Sequence, residues 1–231
     1  VGFWVDWCVH RNGNPCIGTD MTRIVTISDT HGLHTHVEVP DGDILVHAGD
    51  VTMDGSFKSF INFLAWFKKQ PHKHKVFIAG NHDEVLEKGF GTVEGLIVES
   101  GCVYLENTGC VLDGLKFWGS PMTPRFMYWH FMEDRDKIGR YWEGIQKGLD
   151  VLVTHGPPYK IRDYVMHTYG DHHVGCKALL SKIQEVSPRV HVFGHIHRGF
   201  GEEKIGDTRF VNASVCTEDY EPKYRAMMLD L

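Results

Sequence analysis

Five short apolar runs in this sequence end directly in residues of types that can bind metal ions. Ile24–Ser28 runs into Asp29-Thr30-His31, and Ile44–Ala48 into Gly49-Asp50. Val76–Ala79 runs into Gly80-Asn81-His82-Asp83, Val151–Thr154 into His155-Gly156-Pro157-Pro158, and His191–Phe193 into Gly194-His195-Ile196-His197. Each cluster alone says little. Asp29 and His31 share a face only because residues i and i+2 do so in extended chain. Gly49-Asp50 is a common turn, Asn81 and Asp83 suit a helix cap, and a lone His155 is ordinarily a hydrogen-bonded structural residue. Together they point to one metal-binding crevice, because sites in α/β sheets gather beyond the carboxyl ends of strands. The chain carries 16 histidines, with no oligohistidine run. Histidine is the commonest metal ligand and the usual acid or base near neutral pH.

The elements that must position these clusters follow from hydrophobic pattern. Strands are expected at Ile24–Ser28, Asp43–Ala48, Lys75–Ala79, Val103–Glu106, Val111–Leu112, Lys116–Trp118, Val151–Thr154, His191–Phe193, Arg209–Asn212 and Ala226–Leu229. Several are almost continuously apolar, which predicts burial on both faces. Asp113-Gly114 predicts a two-residue hairpin turn. Apolar residues at helical spacing predict helices over Ser56–Lys69, Asp134–Ile145 and Gly175–Val186, with a shorter one over Thr92–Glu99. The alternation of short apolar runs with amphipathic stretches is that of an α/β or α+β domain.

Composition bounds the rest. With 231 residues, 42% hydrophobic and 23% charged, the chain is globular. A net charge of −6 counts against a nucleic-acid surface. No apolar run is long enough to span a membrane. The six cysteines contain no CxxC pair and are read as reduced thiols, hence a cytoplasmic protein. Met21 just before the first strand suggests a natural start, so 1–22 is read as an extension of unknown role and 23–231 as the domain.

The ordered set Asp29-x-His31, Gly49-Asp50, Gly80-Asn81-His82-Asp83, His155 and Gly194-His195-x-His197 resembles the calcineurin-like metallophosphoesterase superfamily over nearly all of 24–231. Gly119-Ser120-Pro121-Met122-Thr123-Pro124, Val174-Gly175-Cys176 and Asn212-Ala213-Ser214-Val215 look like its MPPED branch, which is similar to bacterial cyclic-nucleotide phosphodiesterases. The resemblance implies a four-layer αββα sandwich, two mixed β-sheets flanked by helices, with a dinuclear metal site at the strand C-terminal ends. It implies Asp29, His31 and His197 at one ion, Asn81, His155 and His195 at the other, and Asp50 between them. Such imidazole, carboxylate and amide donors suit two divalent or mixed-valence transition ions: Mn, Fe, Zn or Co. The absence of a thiolate disfavours structural zinc, and the imidazoles disfavour a calcium or magnesium cage.

The expected reaction is hydrolysis of a small phosphodiester, such as a cyclic nucleotide, by a metal-bridging hydroxide. His82 is expected to assist the leaving group, with Asp83 orienting it through the other ring nitrogen. Asn81, His82, His197 and His173 are the expected substrate contacts. His34 and His36, after the first cluster, are candidates to overhang the crevice. His47 and His191 are read as structural, and His72 and His74 as part of a solvated basic surface. The loop-like Pro121–Trp129 segment, with Arg125, Phe126, Tyr128 and Trp129, suits either base and phosphate binding or an aromatic satellite cluster; exposed aromatics in Phe126–Phe131 equally suit a homodimer patch. Rival readings are a phosphomonoesterase, a nuclease and a nucleotide-binding protein with little turnover.

Overall fold

Apolar runs buried on both faces become central strands, and the computed structural model, which describes residues 21–166 and 172–231, shows where they go. In chain order the elements are β1 (Arg23–Ile27), β2 (Ile44–His47), α1 (Phe57–Phe67), β3 (His74–Phe77), α2 (Glu84–Lys88), α3 (Phe90–Ser100), β4 (Val103–Tyr104), β5 (Thr108–Leu112), β6 (Leu115–Ser120), β7 (Thr123–Pro124), β8 (Met132–Glu133), β9 (Val151–Thr154), α4 (Lys177–Val186), β10 (Val190–Phe193), β11 (Gly201–Ile205), β12 (Thr208–Asn212) and β13 (Met227–Asp230).

One sheet runs β13-β1-β2-β3-β4 and the other β11-β12-β10-β9-β6-β5. Both are mixed: β1, β2, β3 and β4 are parallel, as are β12, β10, β9 and β6, while β13, β5 and β11 pair antiparallel to their neighbours. Alternation decides the layers. Ile44 and Val46 of β2 pack in one cluster with Val151 and Val153 of β9, between the sheets. Leu45 and Leu152 face the other way, into the cluster that holds the helices. The result is helices outside two face-to-face sheets. None of the described helices is long and apolar enough to cross a membrane.

Local chemistry explains the boundaries. Ser56 caps α1 by accepting from the Ser59 N–H at 3.2 Å, and Phe60, Phe63, Leu64 and Phe67 form its buried face. Asp113 and Gly114, at φ 48° and 82°, make the β5–β6 turn, as the dipeptide predicts. Thr22 pairs with the Leu231 backbone, so the ordered sheet edge reaches one residue into the stretch assigned to the extension.

Two expectations are corrected. Asp134–Ile145 is not an α-helix: only a 3₁₀ segment, Ile138–Trp142, forms. Gly139 and Gly144 lower helix propensity there, and Trp142 turns edge-on to Trp118, their ring centroids 6.4 Å apart. His72 is not on a solvated surface. It is buried, its Nε2 donating to the Pro40 carbonyl at 3.1 Å, while the His74 ring bonds Asp113 at 3.1 Å. The polar edge strand β11 escapes a pattern search because it has no apolar face; Gly206-Asp207, turning back into β12, is its one sequence signal.

Candidate metal centre

The ends of β1, β2, β3, β9 and β10 meet where the two sheets adjoin. Four of the residues there are held in the left-handed region: Asp29 (φ 55°), His31 (46°), Asp50 (54°) and His195 (66°). That conformation costs a non-glycine residue on the order of 1 kcal/mol, and such strain collects at functional sites. Close approach explains two glycines. A Cβ on Gly80 would lie 2.2 Å from Asp50 Oδ1, and one on Gly194 would lie 2.1 Å from Asp29 Oδ2.

Donor atoms converge in three groups, each within 4.8 Å: Asp29, His31 and His197; Asp50, His155 and His195; and His31, Asp50 and His82. Asn81 joins the second, its Oδ1 lying 3.0 Å from His155 Nε2. Asp50 Oδ2 is 3.8 Å from His31 Nε2 and 3.3 Å from His155 Nε2, so one carboxylate stands between the first two groups.

Hydrogen bonds fix which ring nitrogens face inward. Nδ1 of His155 donates to the Ala48 carbonyl at 2.9 Å, Nδ1 of His197 to Thr217 at 2.8 Å, and Nδ1 of His82 to Met53 at 2.8 Å. In the neutral ring that leaves the Nε2 lone pair to face the centre, the arrangement that orients metal-ligating histidines. At His155 the Nε2 lone pair then meets only acceptors, Asp50 Oδ2 and Asn81 Oδ1. At His197, Nε2 lies 3.2 Å from His31 Nε2 and 3.5 Å from Asp29 Oδ1. Lone pairs so placed need positive charge among them, whether a proton on a ring or a metal ion, and the residues fit divalent ions.

The electrostatics show the same demand for positive charge. Burial opposes a charge on His155, but the Asp50 carboxylate outweighs it and lifts the ring to about 9. Burial likewise opposes charge on Asp50 and Asp29, yet the surrounding imidazoles hold both carboxyls well below their usual range. Burial pushes His31 down to about 4 and His195 to about 3, favouring the neutral, ligating form.

Several expected contacts are different. Asp83 does not touch the His82 ring. Its oxygens accept from the N–H groups of Val51 (3.1 Å), Thr52 (2.9 Å) and Gly80 (2.8 Å) and from the Thr52 hydroxyl (2.8 Å). Met53 orients His82 instead. His34 does not overhang the crevice; it is buried against Phe63 and Trp66, and neither it nor the exposed His36 lines the cavity. His173 bonds Asp163 at 2.6 Å and lines a neighbouring cavity, not this one. The sequence also offers Gly170-Asp171-His172-His173 as a whole as a substrate-contacting stretch, of which Gly170 and Asp171 lie outside the described residues. His47 and His191 are buried within their strands, bonded to Thr30 and Thr154.

The crevice over the centre has a volume of about 500 Å³. The 121–129 segment forms one wall. Its Thr123–Pro124 part is strand β7, beyond which Trp129 stacks over His82 with centroids 4.4 Å apart, and Phe126 lies 5.1 Å from His195. Arg125 turns away to pair with Asp134. Sequence reasoning missed Tyr220, edge-on to His31 at 4.8 Å, and no local signal marks it. It also gave no role to Ser214, whose hydroxyl donates to Asp29 Oδ2 at 2.8 Å.

A family model described as calcineurin-like phosphoesterase matches residues 22–199. The chain belongs to the calcineurin-like phosphoesterase family. Among curated relatives of this phosphoesterase, metallophosphoesterase domain-containing protein 1 of Homo sapiens is 36% identical over 91% of this chain and 71% of its own length. A UPF0046 protein of Caenorhabditis elegans is 33% identical over 94% and 78%. Among solved structures, TT1561 of Thermus thermophilus shares the fold with a TM-score of 0.57 at 11% identity, covering 83% of this chain and 88% of its own.

Proposed function

We propose that this phosphoesterase is a metal-dependent phosphodiesterase that hydrolyses small phosphodiesters such as cyclic nucleotides. The observation that carries the reading is the position of Asp50, 3.8 Å from His31 in one donor group and 3.3 Å from His155 in the other. A carboxylate between two groups of imidazole and carboxylate donors suits a pair of ions, drawn from Mn, Fe, Zn and Co. Such ions, when bound, supply Lewis-acid stabilisation of a phosphoryl group and an acidified water. Asp29, His31 and His197 would hold one ion, Asn81, His155 and His195 the other, and Asp50 both.

The chain's own groups do the rest. His82, its Nδ1 committed to Met53, has Nε2 left to hold a proton for the departing ester oxygen. Pro124, Phe126 and Trp129 on one wall and Ile196 and Tyr220 on the other give apolar surface for two ester groups, which favours a diester over a monoester. The net charge of −6 favours a small substrate over a nucleic acid. The buried free thiols Cys102, Cys110, Cys176 and Cys216 support a reducing, cytoplasmic setting.

The test compares hydrolysis of bis-p-nitrophenyl phosphate and p-nitrophenyl phosphate with Mn(II), with Asp50→Ala as control. Faster diester cleavage that vanishes in the control is the expected result. Faster monoester cleavage would replace the reading with a phosphatase. No cleavage of either by metal-loaded protein would replace it with a nucleotide-binding role.

A further inference from the structure

Beside the metal crevice lies a second cavity of about 450 Å³, lined by Arg135, Tyr159, His173, Val174, Cys176 and Lys177. Arg135 and Val174 line both cavities, so one ligand can span them. None of the described residues lining the second cavity is acidic. Two cations line it directly, and a third stands beside it. Lys177 Nζ lies 4.6 Å from the centroid of the Tyr159 ring, and Lys160 Nζ 5.5 Å from it. Arg135 donates through Nη1 to the Gly175 carbonyl at 2.9 Å and through Nη2 to the Val174 carbonyl at 2.7 Å. Those bonds fix the guanidinium and leave its other N–H donors for a ligand.

Among the described residues no carboxylate makes an ion pair with the side chain of Arg135, Lys160 or Lys177, although the chain as a whole carries a net charge of −6. The one carboxylate close by, the buried Asp163, bonds the His173 ring and the Lys160 and Gly175 N–H groups. Three cations against that one carboxylate leave a positive local potential, which an anion relieves. The amino end of α4 adds to the field. Cys176 caps that ten-residue helix and Lys177 is its first residue, so its positive end borders the cavity.

We propose that this cavity is an anion subsite, in which Arg135 and Lys177 hold a second phosphate-like group of the substrate while the metal centre engages the scissile ester. This rests on the phosphodiesterase reading for its link to catalysis, but not for anion binding itself. The ligand chemistry is a tetrahedral oxyanion, either tethered to the substrate or free in solution.

Two measurements test it. Kinetics compare thymidine 5′-(p-nitrophenyl phosphate) with and without a 3′-phosphate. Calorimetry titrates the metal-loaded protein with inorganic sulfate. In the wild type the 3′-phosphate should lower KM by about tenfold, the strength of charge-assisted hydrogen bonds to one anion. Lys177→Gln should erase most of that preference and weaken sulfate binding, and Lys177→Arg should keep both. Sulfate binding that depends on Lys177 with no 3′-phosphate preference would support the site with a free anion as its ligand. Sulfate affinity and 3′-phosphate preference both indifferent to Lys177→Gln and to Arg135→Gln would overturn it. If neither ester is cleaved, the phosphodiesterase reading fails and sulfate affinity alone decides the subsite.

Discussion

The Trp129 indole covers one face of the His82 imidazole, with centroids 4.4 Å apart and planes 34° apart. His31 meets the same imidazole edge-on at 4.7 Å, and the Met53 carbonyl holds its Nδ1. His82 is therefore fixed by three neighbours, none of which is Asp83. His82→Ala should cut kcat by about 100-fold, the usual scale of general acid assistance, with metal content by atomic absorption unchanged. Loss of metal instead would make His82 a ligand, as its place in the third donor group allows.

Trp129 then acts through His82 as a positioning residue. Trp129→Ala should lower kcat more than it raises KM, and Trp129→Phe should restore most of the loss by keeping a ring over the imidazole. A rise in KM alone would leave Trp129 only its place in the substrate wall, with no part in positioning His82.

Asp83 is a clamp between loops. Four donors from Val51, Thr52 and Gly80 occupy its buried carboxylate, tying the loop after β2 to the loop after β3. Asp83→Ala strands those donors, each costing about 1–3 kcal/mol when buried and unpaired. Urea unfolding should show a loss of at least about 3 kcal/mol. A stability loss near zero would show that water replaces the carboxylate.

The strand-end clusters were legible because each is a contiguous run of residues, and the apolar runs before them marked strands buried on both faces; which layer Ile44, Leu45 and Val46 each face came only from the structure. What stayed hidden depends on contacts between distant residues. Nothing near Tyr220 reports that its ring meets His31, and nothing in Asp83 reports that backbone N–H groups thirty residues earlier consume its lone pairs. His82-Asp83 reads as an acid with its orienting carboxylate only while those bonds are unknown. His72 misled for the same reason: its neighbours Lys68, Lys69 and Lys73 are exposed, but its own ring turns inward to Pro40.

Gly194 tests whether backbone packing sets the metal site. A Cβ there would lie 2.1 Å from both Asp29 Oδ2 and Ser28 Oγ, deep inside van der Waals contact. Since Asp29 also takes the His195 N–H and the Ser214 hydroxyl, it has no room to retreat. Gly194→Ala should lower metal stoichiometry more than it lowers thermal stability. Full metal content in the variant would show that the loop yields.

His191 predicts how the fold responds to acid. Its ring is fully buried in β10, near Phe193 and Phe210, and burial pushes its pKa down to about 3. The Thr154 hydroxyl donates its single hydrogen to the Gly156 carbonyl at 2.8 Å, so Nε2–H of His191 must be the donor in their 2.8 Å bond. Nδ1 is left buried without a partner, and the ring is neutral. A depressed folded pKa means that the unfolded chain binds the extra proton, near its ordinary value of about 6.5. The stabilisation is therefore complete above about pH 6.5 and is lost as the pH falls toward about 3. Between pH 7 and pH 5 this one group should remove about 2 kcal/mol. His191→Phe keeps a ring among the neighbouring phenylalanines and abolishes the titration. Urea unfolding at the two pH values should show the variant losing about 2 kcal/mol less than the wild type. Equal losses would mean that His191 takes its proton within the fold, which its burial and its Thr154 bond both oppose.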